Sequence, residues 1–494
     1  MNSSKSQKTC AIIGAGIAGI AAAIRMAAKG YKVDVFDKND TPGGKLSSFN
    51  LGSYRFDFGP SLFTLPHLVE ELFLLCNKKP EQYFSYTKVE PGHLYFFEDG
   101  TRIEASSDIN SFAQQIENHT RDKSNVVINY LKKQEEKFNI TKEVFLQHSL
   151  HDYKNYLSLH FLKALCGLHK IEALTTMHEV NQKTFCDSRT IRIFDRYATY
   201  NGSNPYQAPA TLTMIPHIEF GFGVYFPKGG MYSITQSLLQ LAMDMGVRFH
   251  YSTLVESILL HRNTATGIQC DNTKLCYDKI FCNADVHYAY QKLLPQKIGE
   301  KYIKQERSSS ALVFYWGIKK IHSQLALHNI LFSEHYEQEF HVLFKEKKIH
   351  QDPTIYINIA SKYAPEDAPQ GCETWFVMIN APHQQGQNWD AVVAETRQNV
   401  IRKINRMLQT DIEKYIEAER ILTPAELERK TLSAQGSIYG SSSNSVFSAF
   451  LRHPNRSPHY KNLFFCGGSV HPGGGIPLCL LSAKIATELA TRND

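Results

Sequence analysis

The sequence has no long hydrophobic run, no paired cysteine motif and no strong excess of charge of either sign. No stretch reaches the roughly 18 consecutive apolar residues that a transmembrane helix needs, so none is expected. The formal net charge of the 494 residues is only +6, which gives no reason to expect nucleic acid as a partner. These absences favour a globular protein without a membrane-spanning segment.

The ten cysteines include no CxxC pair, and the spacing of Cys270, Cys276 and Cys282 does not match a zinc knuckle. We therefore expect buried free thiols, with no disulfide and no metal site. The apolar stretch from Cys10 to Ala28 is interrupted by glycines, and no cleavage-site pattern follows it, so it is not interpreted as a secretion signal. A cytoplasmic protein is expected.

What the sequence does contain is a strand–turn–helix–strand unit near its start. Residues 8–13 predict a buried strand, GAGIAG at 14–19 a tight turn, and 20–29 an alanine-rich helix, and 32–37 predict a second strand. Gly14 permits the turn, Gly16 lets the backbone approach a pyrophosphate, and Gly19 lets the helix pack on the sheet. Asp37, at the end of the second strand, can bind ribose hydroxyls. The unit predicts a dinucleotide site.

Three further glycine-rich segments decide between NAD and FAD. They are PGGK at 42–45, DFGPS at 57–61 and CGGSVHPGGGIP at 466–477. A nicotinamide enzyme needs no glycine-rich strand–turn–helix at the far end of the chain, whereas an extended FAD does. A second helix N-terminus can hydrogen-bond the pyrimidine carbonyl of the flavin and stabilise the anionic reduced form. FAD is the expected cofactor.

The rest of the chain completes an α/β fold class. Residues 65–185 predict mostly helices, for example 68–76, 109–116 and 157–174. Segments 247–251, 256–260 and 279–283 predict strands that return to the nucleotide-binding sheet, and 311–316 and 374–379 predict further strands. Residues 389–409 predict a helix, and the tail from Phe464 predicts strand, turn and helix.

We expect a Rossmann-like FAD/NAD(P)-binding domain interleaved with an α+β substrate domain and a helical, membrane-facing subdomain. The FAD-binding domain is predicted to be discontinuous, over residues 1–75, 225–290 and 435–494. The helical region is predicted at 76–185, and the substrate domain at 186–224 and 291–434.

These ordered motifs together resemble the phytoene desaturase family of bacterial carotenoid desaturases, within the amine-oxidase-like flavoproteins. The resemblance runs from residue 10 to about 487. It is sharpest at the termini and at GVYFPKGGM, residues 223–231. Within the family, Gly59–Pro66 (GPSLFTLP) and Tyr197–Tyr206 are similar to the hydroxycarotenoid 3,4-desaturases, which act on a 1-hydroxylated end of an acyclic or half-cyclic carotenoid.

The resemblance implies which residues bind FAD: those of the first turn bind the pyrophosphate, Asp37 the ribose, Val255 the adenine, and the last cluster the ribityl chain and flavin. The full implied set is Gly14, Gly16, Ile17, Ala18, Gly19, Asp37, Lys38, Gly43, Gly44, Lys45, Gly59, Pro60, Ser61, Val255, Gly467, Gly468, Ile476 and Pro477. The family often has an acidic residue after Cys-Gly. Gly468 stands there in this chain, which puts one contact to the ribityl hydroxyls in doubt.

The resemblance also implies the reaction, which is removal of two hydrogens from adjacent carbons of a polyene. A hydride would pass to flavin N5 and a proton would leave the neighbouring carbon. His217 and Glu219 are candidates for a base or polar contact, and ordinary polar strand or surface residues are the alternative. Catalytic residues stay unassigned, and oxygen or a quinone would reoxidise the flavin.

The carotenoid substrate implies a peripheral position on the inner face of the cell membrane. One predicted helix face carries Leu157, Phe161, Leu165 and Leu168, with Lys163 and Lys170 nearby. Such a face either dips into the membrane surface or packs into the core.

Other functions remain open on the same fold. A phytoene or neurosporene desaturase would act at another bond, and a flavin amine oxidase would need an aromatic cage and a carboxylate-binding arginine that we cannot place. A prenyl-lipid binding escort protein would need no flavin at all.

Overall fold

A computed structural model gives the structure of the chain and describes residues 7–149, 151, 167, 171–295 and 298–492. The helix face predicted for membrane contact lies outside the described residues, with its members Leu157, Phe161, Leu165, Leu168, Lys163 and Lys170.

In chain order the strands are β1 (Thr9–Ile13), β2 (Lys32–Phe36), β3 (Ser48–Leu51), β4 (Tyr54–Asp57), β5 (Tyr86–Lys88), β6 (His93–Phe96), β7 (Arg102–Ala105), β8 (Tyr225–Pro227), β9 (Arg248–His250), β10 (Val255–His261), β11 (Thr264–Cys270), β12 (Thr273–Cys276), β13 (Lys279–Cys282), β14 (Ser310–Ile318), β15 (His328–Leu331), β16 (Ile355–Asn358), β17 (Glu373–Ala381), β18 (Ile416–Leu422) and β19 (Leu463–Phe465).

The helices are α1 (Ile17–Ala28), α2 (His67–Leu75), α3 (Ile109–His119), α4 (Ser124–Thr141), α5 (Met177–Thr184), α6 (Ser188–Asp195), α7 (Ile215–Phe222), α8 (Tyr232–Asp244), α9 (Val286–Tyr288), α10 (Glu300–Ile303), α11 (Tyr336–His341), α12 (Trp389–Leu408), α13 (Pro424–Thr431), α14 (Val446–Phe450) and α15 (Ile476–Thr491). Among the described residues, no helix is both long and apolar enough to cross a bilayer.

The first sheet is parallel and joins segments from both ends of the chain. Its strand order is β19-β13-β1-β2-β9. The strands predicted at 8–13, 32–37, 247–251 and 279–283 are confirmed, because each lies in this sheet close to its predicted bounds. β1, β2 and β13 are almost wholly buried, as expected of parallel strands that are covered on both faces.

Helix α1 follows the first glycine turn and is buried from Ile17 to Met26. It packs between the parallel sheet and α15, α8 and α2, so a helix rich in alanine fits the narrow space. The helix begins at Ile17, earlier than the predicted Ile20. Gly19 therefore lies in the first helical turn, because Gly16 already ends the preceding turn in an extended conformation.

The strand predicted at 256–260 does not return to the parallel sheet, so that prediction is wrong. It forms β10 in a separate antiparallel sheet of order β10-β11-β12. Only Arg262 and Asn263 join β10 to β11, and such a short connection permits antiparallel pairing alone. Alternation of polar and apolar residues identifies a strand but not its partner.

The largest sheet has the order β18-β14-β17-β16-β15-β6-β7 and is antiparallel except for the β15–β6 pair. The predicted strands 311–316 and 374–379 are confirmed as parts of β14 and β17, and the predicted helix 389–409 is α12. Alternate residues of β14 point to opposite faces. Leu312 and Phe314 pack in one core with Val400 of α12, while Ala311 and Val313 face the other side.

Residues 86–105 were predicted to be helical with the rest of 76–185, and the structure corrects this. They form β5, β6 and β7, whereas α2 and α3 confirm the helices predicted at 68–76 and 109–116. All four residues of β6 are buried, so the strand has no alternating pattern. β6 and β7 extend the sheet of the predicted substrate domain, and the other domain bounds stay a prediction.

The prediction that the cysteines are buried free thiols holds for only some of the described ones. Cys10, Cys282 and Cys466 are buried free thiols, but Cys186 and Cys276 are exposed free thiols. Cys276 ends β12, an edge strand, and edge strands leave side chains at the surface.

Candidate functional site

The two glycine-rich turns, which are far apart in sequence, lie side by side at the carboxyl edge of the parallel sheet. Gly14 follows β1 and Gly467 follows β19, and β13 runs between these strands. Asn283, just after β13, links them. Its Nδ2 donates to the Gly14 carbonyl at 3.2 Å, and its Oδ1 is 2.6 Å from the place a Cβ would take on Gly467. The convergence that an extended cofactor requires is present.

Two helices begin at this edge with uncapped amides. Gly16 is the N-cap residue of α1 and Gly475 that of α15, and no described side chain caps either helix. Neither first turn carries an acidic residue. The free N–H groups and the helix dipole at each start favour an anion or a strong hydrogen-bond acceptor. Both starts line the same cavity, so the residues present fit an extended dinucleotide.

The cavity has a volume of about 540 Å³, which is typical of small-molecule sites. It collects nearly all residues implicated by the sequence. Those that line it are Gly14, Gly16, Ile17, Ala18, Asp37, Lys38, Gly43, Gly44, Lys45, Gly59, Pro60, Ser61, Val255, Gly468, Ile476 and Pro477. Gly19 and Gly467 are not among the lining residues. For the whole predicted set, direct contact with FAD stays a prediction.

Gly19 lies behind the cavity wall, where it sets how closely α1 approaches β1. A Cβ at this position would lie 2.0 Å from the Gly14 carbonyl oxygen, closer than any real contact. The missing side chain therefore holds the helix start against the turn that it faces, as the sequence analysis expected of this glycine.

Asp37 has a defined task in the structure besides the predicted contact to ribose. One carboxylate oxygen accepts the Ala15 N–H at 2.7 Å, and the other accepts the Asn39 N–H at 2.8 Å. The side chain thus fixes the first glycine turn relative to the end of β2. The ribose contact stays a prediction.

Lys45 joins the PGGK turn to the C-terminal part of the chain. Its Nζ donates to the Ile438 carbonyl at 2.7 Å, and burial lowers the pKa of its ammonium group. This contact places the turn beside residues 437–439, which precede the second glycine cluster.

Sequence reasoning missed two residues that hold the site together. Arg452 is buried and lines the cavity, and its Nη1 donates to the carbonyls of Tyr439 at 2.7 Å and Gly468 at 3.3 Å. Burial lowers the pKa of Arg452 to about 10. No local pattern points to it. Asn283 had a usable signal, because polar residues at the carboxyl ends of parallel strands commonly face the ligand.

Beyond the glycine turns, the cavity continues along an apolar wall. The large sheet supplies Ala311 and Val313 from β14 and Phe376 from β17, and α7 supplies Ile215 and Ile218. Further apolar lining residues are Leu62, Leu65, Phe145, Leu146, Leu212, Met214 and Ile330. The lining therefore combines a glycine-rich part suited to a dinucleotide with an apolar part suited to a hydrocarbon.

The structure separates the two candidates for a base or polar contact. Glu219 is buried and lines the cavity. His217 is not among the lining residues and packs against the rings of Phe138 and Phe222, with centroids 5.2 Å and 5.4 Å away. His217 is thus not brought to the site.

Comparisons with known proteins agree with this geometry. The family model for flavin containing amine oxidoreductase matches residues 17–490. A 1-hydroxycarotenoid 3,4-desaturase of Flavobacterium sp. (strain P99-3) is 49% identical over 483 residues, which are 98% of this chain and 99% of the relative. A phytoene desaturase of Fusarium fujikuroi is 30% identical over 98% of this chain and 89% of the relative.

Solved structures share the fold. A variant of putrescine oxidase, redesigned in its cofactor binding, superposes with a TM-score of 0.66 at 12% identity over 99% of both chains. At that identity the likeness shows the fold alone, which is the mixed α/β fold with a Rossmann-type parallel sheet that the sequence predicted. With the family match across nearly the whole chain, the protein belongs to the flavin-containing amine oxidoreductases, and within them to the carotenoid desaturases, enzymes that use FAD.

Proposed function

We propose that this chain is an FAD-dependent desaturase that introduces the 3,4 double bond into a 1-hydroxycarotenoid. The observation that carries the proposal is one cavity that passes from the two uncapped helix starts to an apolar wall. The name of the Flavobacterium relative supports the same bond and the same substrate. The name of the fungal relative supports a second candidate, desaturation of a carotenoid without the hydroxyl.

The residues around the cavity have separate tasks in this proposal. The N–H groups at the start of α1 bind the pyrophosphate of FAD, with Asp37 beside the ribose and Val255 beside the adenine. The N–H groups at the start of α15 bind the pyrimidine edge of the flavin. The bound flavin supplies the two-electron acceptor for hydrogens that leave adjacent carbons.

The apolar wall supplies orientation and exclusion of water rather than acid or base groups. Ile215, Ile218 and Val313 bury the hydrocarbon against the flavin side of the cavity. The Glu219 carboxylate already accepts hydrogen bonds from Arg196, Tyr197 and Tyr200. We assign no catalytic base.

We further propose that the protein works at the inner surface of the cell membrane and passes electrons to oxygen or a quinone. A carotenoid dissolves in lipid, so the enzyme has to meet it at a bilayer. Exposed Leu74 and Leu75 on α2 and Phe222 on α7 support a docking surface.

Expression in two matched bacterial hosts tests the function. One host accumulates a 1-hydroxycarotenoid and the other its precursor without the hydroxyl. We expect a product two hydrogen masses lighter, with absorbance at longer wavelength, in the first host and not in cells that carry the empty vector. Equal desaturation in both hosts would favour the second candidate.

Peroxide formation from amines, without a pigment change, would show an amine oxidase, and a colourless protein without flavin absorbance would show an escort protein.

A further inference from the structure

A cluster of buried polar groups interrupts the apolar cavity. Glu219 and Arg196 are each about 5% exposed or less, and Arg196 Nη2 donates to Glu219 Oε2 at 3.0 Å. Tyr197 donates to the same oxygen at 2.6 Å, and Tyr200 donates to Oε1. Arg196 also donates to the Tyr95 hydroxyl at 2.7 Å. Burying such charges is costly, and a pure hydrocarbon substrate gives no reason for them.

Part of this cluster forms the cavity wall. Tyr200 and Asn201 end a short 3₁₀ helix, Arg196–Asn201, and Glu219 lies on α7, and all three line the cavity. Arg196 lines it as well, with its guanidinium turned to Glu219 and Tyr95. Tyr197 is wholly buried and is not a lining residue. We call Tyr200, Asn201 and Glu219 the polar corner of the cavity.

The polar corner has hydrogen-bonding capacity to spare. The Asn201 side-chain amide makes no hydrogen bond to any described residue, although it can donate twice and accept twice. Glu219 Oε1 accepts only from Tyr200 among the described residues, which leaves it a further lone pair. A hydroxyl both donates and accepts, so it matches this set, whereas a hydrocarbon leaves it unpaired.

A chain of side-chain contacts leads from the polar corner to the segment expected beside the flavin. His93 lies 3.6 Å from Glu219 and stacks on His328. His328 hydrogen-bonds the Tyr356 hydroxyl at 2.7 Å, and that hydroxyl meets Ser61 Oγ at 2.8 Å. His93, Tyr356 and Ser61 also line the cavity, so one continuous wall joins the polar corner to the segment expected beside the flavin.

The chemistry of the proposed substrate requires its hydroxyl to lie near the flavin. In a 1-hydroxycarotenoid the hydroxyl oxygen is three single bonds from C3, each about 1.5 Å long, so it lies within about 4.5 Å of the reacting carbon. A group that binds the hydroxyl must therefore sit close to the flavin. An anchor for a distant end of the polyene would sit elsewhere.

We propose that Tyr200, Asn201 and Glu219 bind the 1-hydroxyl of the carotenoid and thereby set which carbon pair reaches the flavin. Arg196 is a positioning residue that holds Glu219. The proposal rests on the proposed function and names the determinant of its substrate choice.

Binding measurements test this separately from turnover. The purified holoenzyme is titrated with a micellar 1-hydroxycarotenoid and with its counterpart without the hydroxyl, and quenching of protein fluorescence gives two dissociation constants. The wild type should prefer the hydroxylated ligand. Tyr200→Phe and Asn201→Leu keep similar shapes but lose a polar group, and each should reduce that preference about tenfold. Affinity for the other ligand should stay the same.

Tyr197→Phe is the matched control, because it removes a hydroxyl from the same carboxylate behind the wall. It should keep most of the preference. Flavin content and melting temperature show which variants are folded. The inference is overturned if the wild type has no preference, if both cavity variants keep it in full, or if Tyr197→Phe loses as much as they do. If the proposed function itself is wrong, the expression experiment shows it, because no desaturated product forms in the host that accumulates the hydroxylated pigment.

Discussion

Gly19 and Gly30 lie near the two ends of α1, and their surroundings differ completely. A Cβ on Gly19 would meet the Gly14 carbonyl at 2.0 Å, whereas a Cβ on Gly30 would meet nothing within 4 Å. Gly30 is exposed and has a φ of +83°, so replacing it with another residue costs only the strain of the left-handed backbone conformation. The pair separates the role of close packing from that of conformational freedom.

We expect Gly19→Ala to lower the affinity for FAD at least about tenfold, because α1 or the 14–16 turn must move away to admit the methyl group. Gly30→Ala should keep its FAD and lose only about 1 kcal/mol of stability. The flavin-to-protein absorbance ratio and the melting temperature of both variants measure this. A Gly19→Ala protein with full flavin content would show that the close approach does not shape the site.

At the scale of the element, the sequence predicted what local pattern encodes. The unit from β1 to β2 has its own glycine turn and helix α12 its helical periodicity, while β14 and β17 are nine-residue runs rich in aromatic and β-branched residues, so the bounds of these elements were predicted well. β6 is wholly buried and only four residues long, and such a short apolar run does not distinguish a strand from a helical segment. Local signals likewise located the glycine turns of the site, but not Arg452, whose role comes only from tertiary contacts.

Helix α11 contains a carboxyl group that should make stability depend on pH. Glu339 is buried and accepts from the Thr354 N–H at 2.9 Å and hydroxyl at 2.7 Å. Burial raises the pKa of Glu339 to about 7. The unfolded chain ionises this group near pH 4.5, so its contribution is fully present below that pH and is lost as pH rises through 7.

Glu339→Gln cannot ionise, so its stability relative to the wild type should rise between pH 4.5 and 8, by on the order of 3 kcal/mol. Melting temperatures of both proteins across this range give the comparison. Glu337→Gln changes an exposed carboxylate on the same helix and serves as the control. A difference that stays flat with pH would mean that Glu339 is ionised in the folded protein.

At the scale of the whole molecule, the cavity and the exposed apolar residues lie on connected elements. Thr64 and Leu65, which line the cavity, lead directly into α2. The His67 ring at the start of α2 lies 6.4 Å from the Phe222 ring at the end of α7. Leu74 is 62% exposed, and Lys78 and Lys79 follow α2 closely. This combination of apolar and basic side chains suits the surface of an anionic bilayer.

Flotation of the purified holoenzyme with vesicles of phosphatidylcholine and phosphatidylserine tests this docking surface. The wild type should float, and the Leu74→Asp, Leu75→Asp double variant should partition at least about tenfold less. Full burial of a leucine is worth roughly 1.5–3 kcal/mol, and Leu74 and Leu75 still expose 62% and 40% of their surface. Ile321→Asp is the control, because Ile321 is 51% exposed and follows β14 on the large sheet. If the wild type stays in the soluble fraction, the membrane proposal is wrong. If the double variant floats as well as the wild type, the contact surface lies elsewhere on the molecule.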